Sequence, residues 1–125
     1  MNSNIGEARY QMYLENRQRR EAKRMLRNLI EWTWGPPDHA EAVRVCWIVS
    51  GFDSCAVDKW GKGSVGLFGI FPFEAGLTED LAWQLFNPVR NVAAAHRLWC
   101  TFGWKRWNVP PDLPAATIFE ETKEG

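Results

Sequence analysis

Few residues in this chain combine a reactive side chain with neighbours that would tune it for chemistry. Glu74 ends the segment Phe71-Pro72-Phe73-Glu74, and apolar neighbours favour the protonated carboxyl group that general acid catalysis requires. The alternative for Glu74 is an ordinary exposed loop carboxylate. Asp53 and Asp58 lie in a turn-rich stretch, and we expect His96 to be a core residue on the inner face of its helix rather than a base.

The three cysteines do not have the number or spacing of a disulfide-rich domain. We expect Cys46 to lie in the core, while Cys55 and Cys100 could form a bridge only in an oxidising compartment. No Cys-x-x-Cys pair or cluster of cysteine and histidine has the spacing of a zinc site. The sequence therefore predicts neither a metal nor any other cofactor.

Size and composition indicate one globular domain. The chain has 125 residues, of which 46% are hydrophobic, which is enough to bury a core. The formal net charge is zero, so the overall electrostatics do not indicate a polyanionic partner. Eight tryptophans and seven phenylalanines exceed what so small a core needs. Most should pack internally, but some could line a groove.

The N-terminal part predicts a long basic helix over residues 4–34, with a cap at Asn4 and an end at Gly35-Pro36-Pro37. Residues 9–27 contain seven basic side chains against two acidic ones, Glu15 and Glu21. This segment is either the first helix of the domain with a solvated face or a docking arm for a protein, a nucleic acid or an anionic membrane.

The start of the chain lacks the pattern of a signal peptide, and no stretch approaches about 18 consecutive apolar residues. We therefore expect synthesis in a cytoplasm and no transmembrane segment. The predicted organisation is a helix over residues 1–35, a globular domain over 36–109, and a tail over 110–125 that is rich in proline and then acidic.

The globular part of the sequence predicts a core helix that is buried, because its residues are apolar almost all round. Asp38 and Glu41 should form a capping box at its start, and Gly51 should end it. A short hairpin or irregular extended segment is predicted over 65–71. Two helices should follow, one from Thr78 to Phe86 and one that Asn87 caps and that ends before Gly103.

Four segments of the globular part occur in a specific order. They read Val49-Ser50-Gly51-Phe52-Asp53, then Ser64-Val65-Gly66-Leu67-Phe68-Gly69-Ile70, then Leu85-Phe86-Asn87-Pro88-Val89-Arg90-Asn91, and finally Gly103-Trp104-Lys105-Arg106-Trp107. Over residues 39–107 the chain resembles the lysozyme-like lytic transglycosylases and goose-type lysozymes, including phage and actinobacterial members. In that family the core helix ends in Glu-Ser-Gly-Phe and the hairpin reads Gly-Leu-(Met/Phe)-Gln-Ile.

The resemblance implies a mainly α fold of the lysozyme-like α+β type and cleavage of the bond between N-acetylmuramic acid and N-acetylglucosamine in peptidoglycan. The family's catalytic glutamate, which protonates the leaving oxygen, corresponds to Val49, and its hairpin glutamine corresponds to Gly69. Because valine has no proton to donate, no catalytic residue of the family is intact. Glu74 is the candidate for a relocated acid.

The resemblance also implies a set of substrate contacts and a setting. Six residues correspond to expected contacts with glycan: Ser50, Phe68, Gly69, Ile70, Trp104 and Trp107. The expected partner is peptidoglycan, and the phage members imply a place in a virion. Three functions fit. The first is an impaired domain that binds glycan or forms a structural part of a particle. The second is a peptidoglycan hydrolase or lyase that either uses Glu74 as its acid or is a variant of an active enzyme in which the glutamate was changed, and the third is an interaction protein that acts through the basic helix.

Overall fold

The computed structural model describes residues 3–58 and 63–110, and its first element is a helix of 32 residues. Helix α1 runs from Ser3 to Trp34, close to the predicted span. Gly35 follows in a left-handed conformation with a φ of 65°. The predicted cap at Asn4 is wrong, because the helix already contains Ser3 and a capping residue lies outside the helical turns.

Helix α2, His39–Ser50, begins and ends where the sequence predicts, but its start lacks the predicted capping box. Asp38 is already in a helical conformation and makes no side-chain cap, whereas a capping residue needs an extended backbone. Glu41 instead binds the guanidinium of Arg44 at 2.8 Å. At the other end, Gly51 adopts a left-handed φ of 62° and its amide bonds back into the last turn, as its sequence position predicts.

The predicted hairpin is reduced to two isolated β-bridges in the part of the chain that the structure describes. Val65 and Ile70 exchange two backbone hydrogen bonds of 3.0 Å, and Val65 also bridges to Val57. The four residues between Val65 and Ile70 form the tight turn that we call the 66–69 loop. With so little strand pairing, contacts from the helices must hold this loop in place.

The remaining elements are helical. In order they are a 3₁₀ helix Pro72–Ala75, a 3₁₀ helix Glu79–Phe86, helix α3 Pro88–Phe102 and a 3₁₀ helix Gly103–Arg106. The predicted cap of α3 is confirmed, because the side chain of Asn87 accepts hydrogen bonds from the amides of Val89 and Arg90 at 3.0 and 3.3 Å. The predicted helix before it is a 3₁₀ helix and not an α-helix.

The core lies where the second half of α1 crosses α2 and α3. It contains Ile30 and Trp34 of α1, Ala42, Val43, Val45 and Cys46 of α2, Leu67, Phe68 and Ile70 of the hairpin, and Val92, Ala94, Ala95 and Leu98 of α3. Trp34 is at the centre of an aromatic cluster, with ring centroids 5.2 Å from Phe68 and 5.7 Å from Trp104. His96, expected from the sequence to be a core residue, is half-buried and packs at the edge of the core against Trp34 and Trp99.

The prediction of a mainly helical protein is confirmed. Within residues 3–58 and 63–110 the extended pairing is limited to the two bridges. No helix in these ranges is both long enough and apolar enough to cross a membrane. The predicted tail over 110–125 lies outside the described residues apart from Pro110.

Candidate functional site

The end of α2 carries the position at which the resemblance predicts a catalytic acid. Val49 is 36% exposed there, and its side chain lies against the 66–69 loop. A Cβ atom on Gly69 would be 3.0 Å from Cγ1 of Val49. The two positions at which the chain departs from the family pattern are therefore adjacent in space, and neither has a polar side chain.

Three consecutive carbonyl groups of the 66–69 loop accept hydrogen bonds from side chains at the end of α2 and at the end of the last 3₁₀ helix. The hydroxyl of Ser50 donates to the carbonyl of Leu67 at 2.8 Å. The indole N–H of Trp107 donates to that of Phe68 at 2.7 Å, and the guanidinium of Arg106 donates to that of Gly69 at 3.0 Å. A buried carbonyl without a partner is costly, so these contacts both satisfy the loop and fix its position.

Asn91 of α3 binds the same loop from the opposite side. Its side chain is 0% exposed, accepts from the amide of Phe68 at 2.9 Å, and donates to the carbonyls of Val65 and Leu85 at 2.8 and 3.0 Å. Gly66 makes room for it, because a Cβ there would overlap the amide of Asn91 and lie 2.5 Å from the carbonyl of Leu85. Sequence reasoning did not single out Asn91, although a polar residue on the apolar face of a helix was a usable signal.

The structure brings the residues that the resemblance assigned to substrate binding together, but it gives three of them another role. Phe68 and Ile70 are both 0% exposed and Trp107 is 8% exposed. Their side chains are part of the core and have almost no surface to offer a sugar ring, so their burial does not favour the expected contacts with glycan. Ser50 is half-buried and binds the loop. Trp104 is half-buried and packs on neighbouring tryptophans.

Glu74 forms an ion pair with Arg106 instead of lying free at the rim of a cleft. Nε of Arg106 is 2.6 Å from Oε2 of Glu74, and a terminal nitrogen of the guanidinium contacts Oε1. The amide of Phe71 also donates to Oε1 at 3.0 Å. The two side chains are only 12% and 15% exposed. Because both carboxylate oxygens are already engaged inside the protein, Glu74 would have to leave these contacts to reach a substrate, and the arrangement does not favour the prediction of Glu74 as a relocated acid.

The other candidates from the sequence make local contacts or lie in the core. Asp53 accepts a hydrogen bond from the amide of Cys55 at 2.9 Å and shapes the turn after α2. Cys46 is buried, and burial raises the pKa of its thiol. Cys55 and Cys100 are exposed and unpaired with one another. Among the described residues no group of histidine, cysteine and acidic side chains could hold a metal ion.

A groove of about 760 Å³ opens beside the hairpin. Its walls are mostly apolar, with one carboxylate and one hydroxyl, and consist of Gly63, Val65, Phe71, Pro72, Phe73, Leu77, Thr78, Glu79 and Ala82. The rings of Phe71 and Phe73 stack with centroids 5.7 Å apart, and Phe73 is 76% exposed. An apolar wall with a few polar groups is the usual composition of a ligand pocket, and sequence reasoning did not identify this groove.

No protein-family model, curated protein or solved structure matches the chain significantly.

Proposed function

We propose that this chain is a lysozyme-like domain that has lost its general acid and binds the glycan strands of peptidoglycan without cutting them. The observation that carries the proposal is the contact between Val49 and Gly69. The family's glutamate and its hairpin glutamine, which correspond to Val49 and Gly69, are thus both replaced in one small region. The surrounding structure, which includes Gly51, the 66–69 loop and Asn91, remains ordered. The setting that we propose is a phage particle.

The position of Val49 supports the view that only the chemical group is missing. The carbonyl groups at the C-terminal end of a helix disfavour a negative charge nearby. A glutamate at this end of α2 would therefore hold its proton more readily, as a general acid must. Since Val49 is partly exposed, a longer side chain could extend from this position without displacing the core.

The groove beside the hairpin supports binding. The exposed ring of Phe73, supported from behind by Phe71, offers a flat apolar surface to the face of a sugar ring. Thr78 and Glu79 add a hydroxyl and a carboxylate at the same groove, and these groups can bond to sugar hydroxyls. Binding in such a groove does not require a catalytic acid.

Retention of the purified chain on insoluble peptidoglycan tests the binding. We expect Phe73→Ala to weaken retention by about five- to tenfold, because an aromatic contact contributes about 1 kcal/mol. Trp32→Ala is the matched control, since Trp32 is 86% exposed on α1, away from the groove. No retention of the unmodified chain, or equal loss in the two variants, would contradict the proposed function.

Zymography on peptidoglycan tests the missing acid. The unmodified chain should give no clearing, and Val49→Glu is the substitution expected to produce some. Clearing by the unmodified chain that Glu74→Gln abolishes would instead establish the relocated acid and overturn the proposal. Because Glu74 pairs with Arg106, Arg106→Gln serves as a control that disturbs the same ion pair but leaves the carboxyl group.

A further inference from the structure

The first half of α1 extends beyond the globular domain. Residues 6–20 are exposed, with only Leu14 half-buried. Packing against the domain begins with Lys23, whose ammonium lies 5.5 Å from the ring centroid of Trp47, and continues to Ile30 and Trp34. With a rise of about 1.5 Å per residue, the exposed part over residues 6–20, which we call the arm, is about 22 Å long. The core of the domain does not need this length of helix.

One face of α1 is lined with arginine. Arg9, Arg17, Arg20, Arg24 and Arg27 follow one another at helical spacing, with Tyr13 in the gap after Arg9. Residues 9–27 together carry a formal charge of +5, and since the whole chain is neutral the remainder carries −5. Charge is thus concentrated on this helix although the net charge of the protein is zero.

Two acidic side chains reduce the positive charge of this face without neutralising it. Nε of Arg17 is 3.2 Å from Glu21, and Nε of Arg27 is 3.1 Å from Glu31. Arg17 is 61% exposed and has further N–H donors, because a guanidinium carries five. An exposed pair such as that of Arg17 and Glu21 contributes little stability and exchanges readily for another anion.

The composition of residues 9–27, which include most of the arm and the part of α1 directly after it, favours phosphate as the anion. Six of the seven basic residues in 9–27 are arginines, whose planar guanidinium binds phosphate through two parallel hydrogen bonds. A helix that lies in a membrane surface needs an apolar face opposite the basic one. Here the opposite face carries Gln11, Glu15 and Gln18, so the arm lacks the means to insert into lipid.

Two tyrosines beside the arginine face indicate which phosphate polymer fits. Tyr10 and Tyr13 are about 60% exposed and stack on each other, with ring centroids 6.5 Å apart and an interplanar angle of 25°. Exposed rings next to cationic side chains form a surface on which unpaired bases stack, whereas the bases of a duplex are not accessible for stacking.

We propose that the arm binds single-stranded nucleic acid. The arginines lie along successive phosphates, and Tyr10 and Tyr13 stack on bases. The interaction does not involve the groove or any glycan. It gives the chain a second binding surface, on its basic helix.

Fluorescence anisotropy of a labelled oligonucleotide of mixed sequence, titrated with the full chain at several salt concentrations, tests the proposal. The double variant Arg9→Gln and Arg20→Gln removes two charges from the arm while keeping residues that favour helix. Arg97→Gln with Lys105→Gln removes two exposed charges from the globular domain and is the matched control. In the arm variant the slope of log K against log salt should become less negative by about 1.4, or about 0.7 for each phosphate contact.

The remaining arms of the experiment separate the classes of partner. The double variant Tyr10→Leu and Tyr13→Leu should weaken binding to the single strand and leave binding to a duplex of the same sequence unchanged. The proposal is overturned if the chain fails to bind the oligonucleotide at about 50 mM salt, or if the arm variant and its control behave alike. Preference for duplex, stronger binding to phosphatidylserine vesicles, or equal displacement by polyglutamate also overturns it.

Discussion

A Cβ atom placed on Gly69 would come within 3.0 Å of Cγ1 of Val49, so the identities of these two residues depend on each other. Gly69 also has a φ of 58°, a conformation that costs other residues about 1–2 kcal/mol. The proposed loss of the acid and the glycine in the loop are thus coupled by packing. This coupling can be measured.

We predict that Gly69→Ala lowers the free energy of unfolding by more than Gly76→Ala does. Gly76 has a φ of 72° but open space around its Cα, so its substitution isolates the backbone cost of about 1–2 kcal/mol. Gly69→Ala should cost about 1 kcal/mol more because of crowding. Val49→Ala should remove that excess, and urea unfolding of the double-mutant cycle would contradict the coupling if the two effects simply add.

Asn91 should be among the most sensitive polar positions in the domain. Asn91→Ala leaves the amide of Phe68 and the carbonyls of Val65 and Leu85 without their buried partner. We expect a loss of about 3 kcal/mol or more. Asn87→Ala, which removes only the cap of α3, should cost about 1 kcal/mol. Equal costs in chemical denaturation would show that the loop does not depend on Asn91.

Two buried tryptophans should respond differently to replacement by phenylalanine. The indole N–H of Trp107 bonds to the carbonyl of Phe68, while that of Trp34 is buried and has no hydrogen-bond partner among the described residues. Trp107→Phe should therefore cost about 1–3 kcal/mol more than Trp34→Phe, because only the former leaves a carbonyl unsatisfied. Thermal or urea unfolding of the pair would refute the prediction if Trp34→Phe proves the more harmful.

Thiol reactivity should distinguish Cys46 from the other two cysteines. Cys55 and Cys100 are exposed and should react rapidly with a thiol reagent, whereas Cys46 is buried and should react only after unfolding. Burial raises the pKa of Cys46 in the folded chain, and a thiol in the unfolded chain ionises near about pH 8.5. The free energy of unfolding should therefore decline as the pH rises above about 8.5, and less so in Cys46→Ala. Rapid labelling of three thiols in the native chain would contradict the structure.

Much of the secondary structure follows from local sequence signals. Glycine and proline mark the ends of α1 and α2, and Asn87 followed by proline marks the start of α3. These signals act over a few residues and do not depend on the tertiary fold. The capping box at Asp38 failed because a helical turn before α2 already places Asp38 in a helical conformation, and because Arg44 competes for Glu41.

The site was less predictable because its contacts join residues far apart in sequence. Glu74 binds Arg106, which lies 32 positions further along the chain, and no local sequence pattern predicts that ion pair. Trp104 and Trp107 are alike in sequence context, yet only the second turns its N–H onto the loop. The resemblance brought Ser50, Gly69 and Trp107 to attention, but sequence alone could not tell binding to the loop from binding to a ligand.

The segment Val65-Gly66-Leu67-Phe68-Gly69-Ile70-Phe71 is uncharged and lacks proline, two features of sequences that assemble into cross-β fibrils. In the folded chain three of its carbonyls are bonded to Ser50, Trp107 and Arg106, and the amide of Phe68 is bonded to Asn91. These groups cannot serve as a template for a neighbouring strand while the bonds last. The side chains that hold the loop therefore also protect the protein from aggregation.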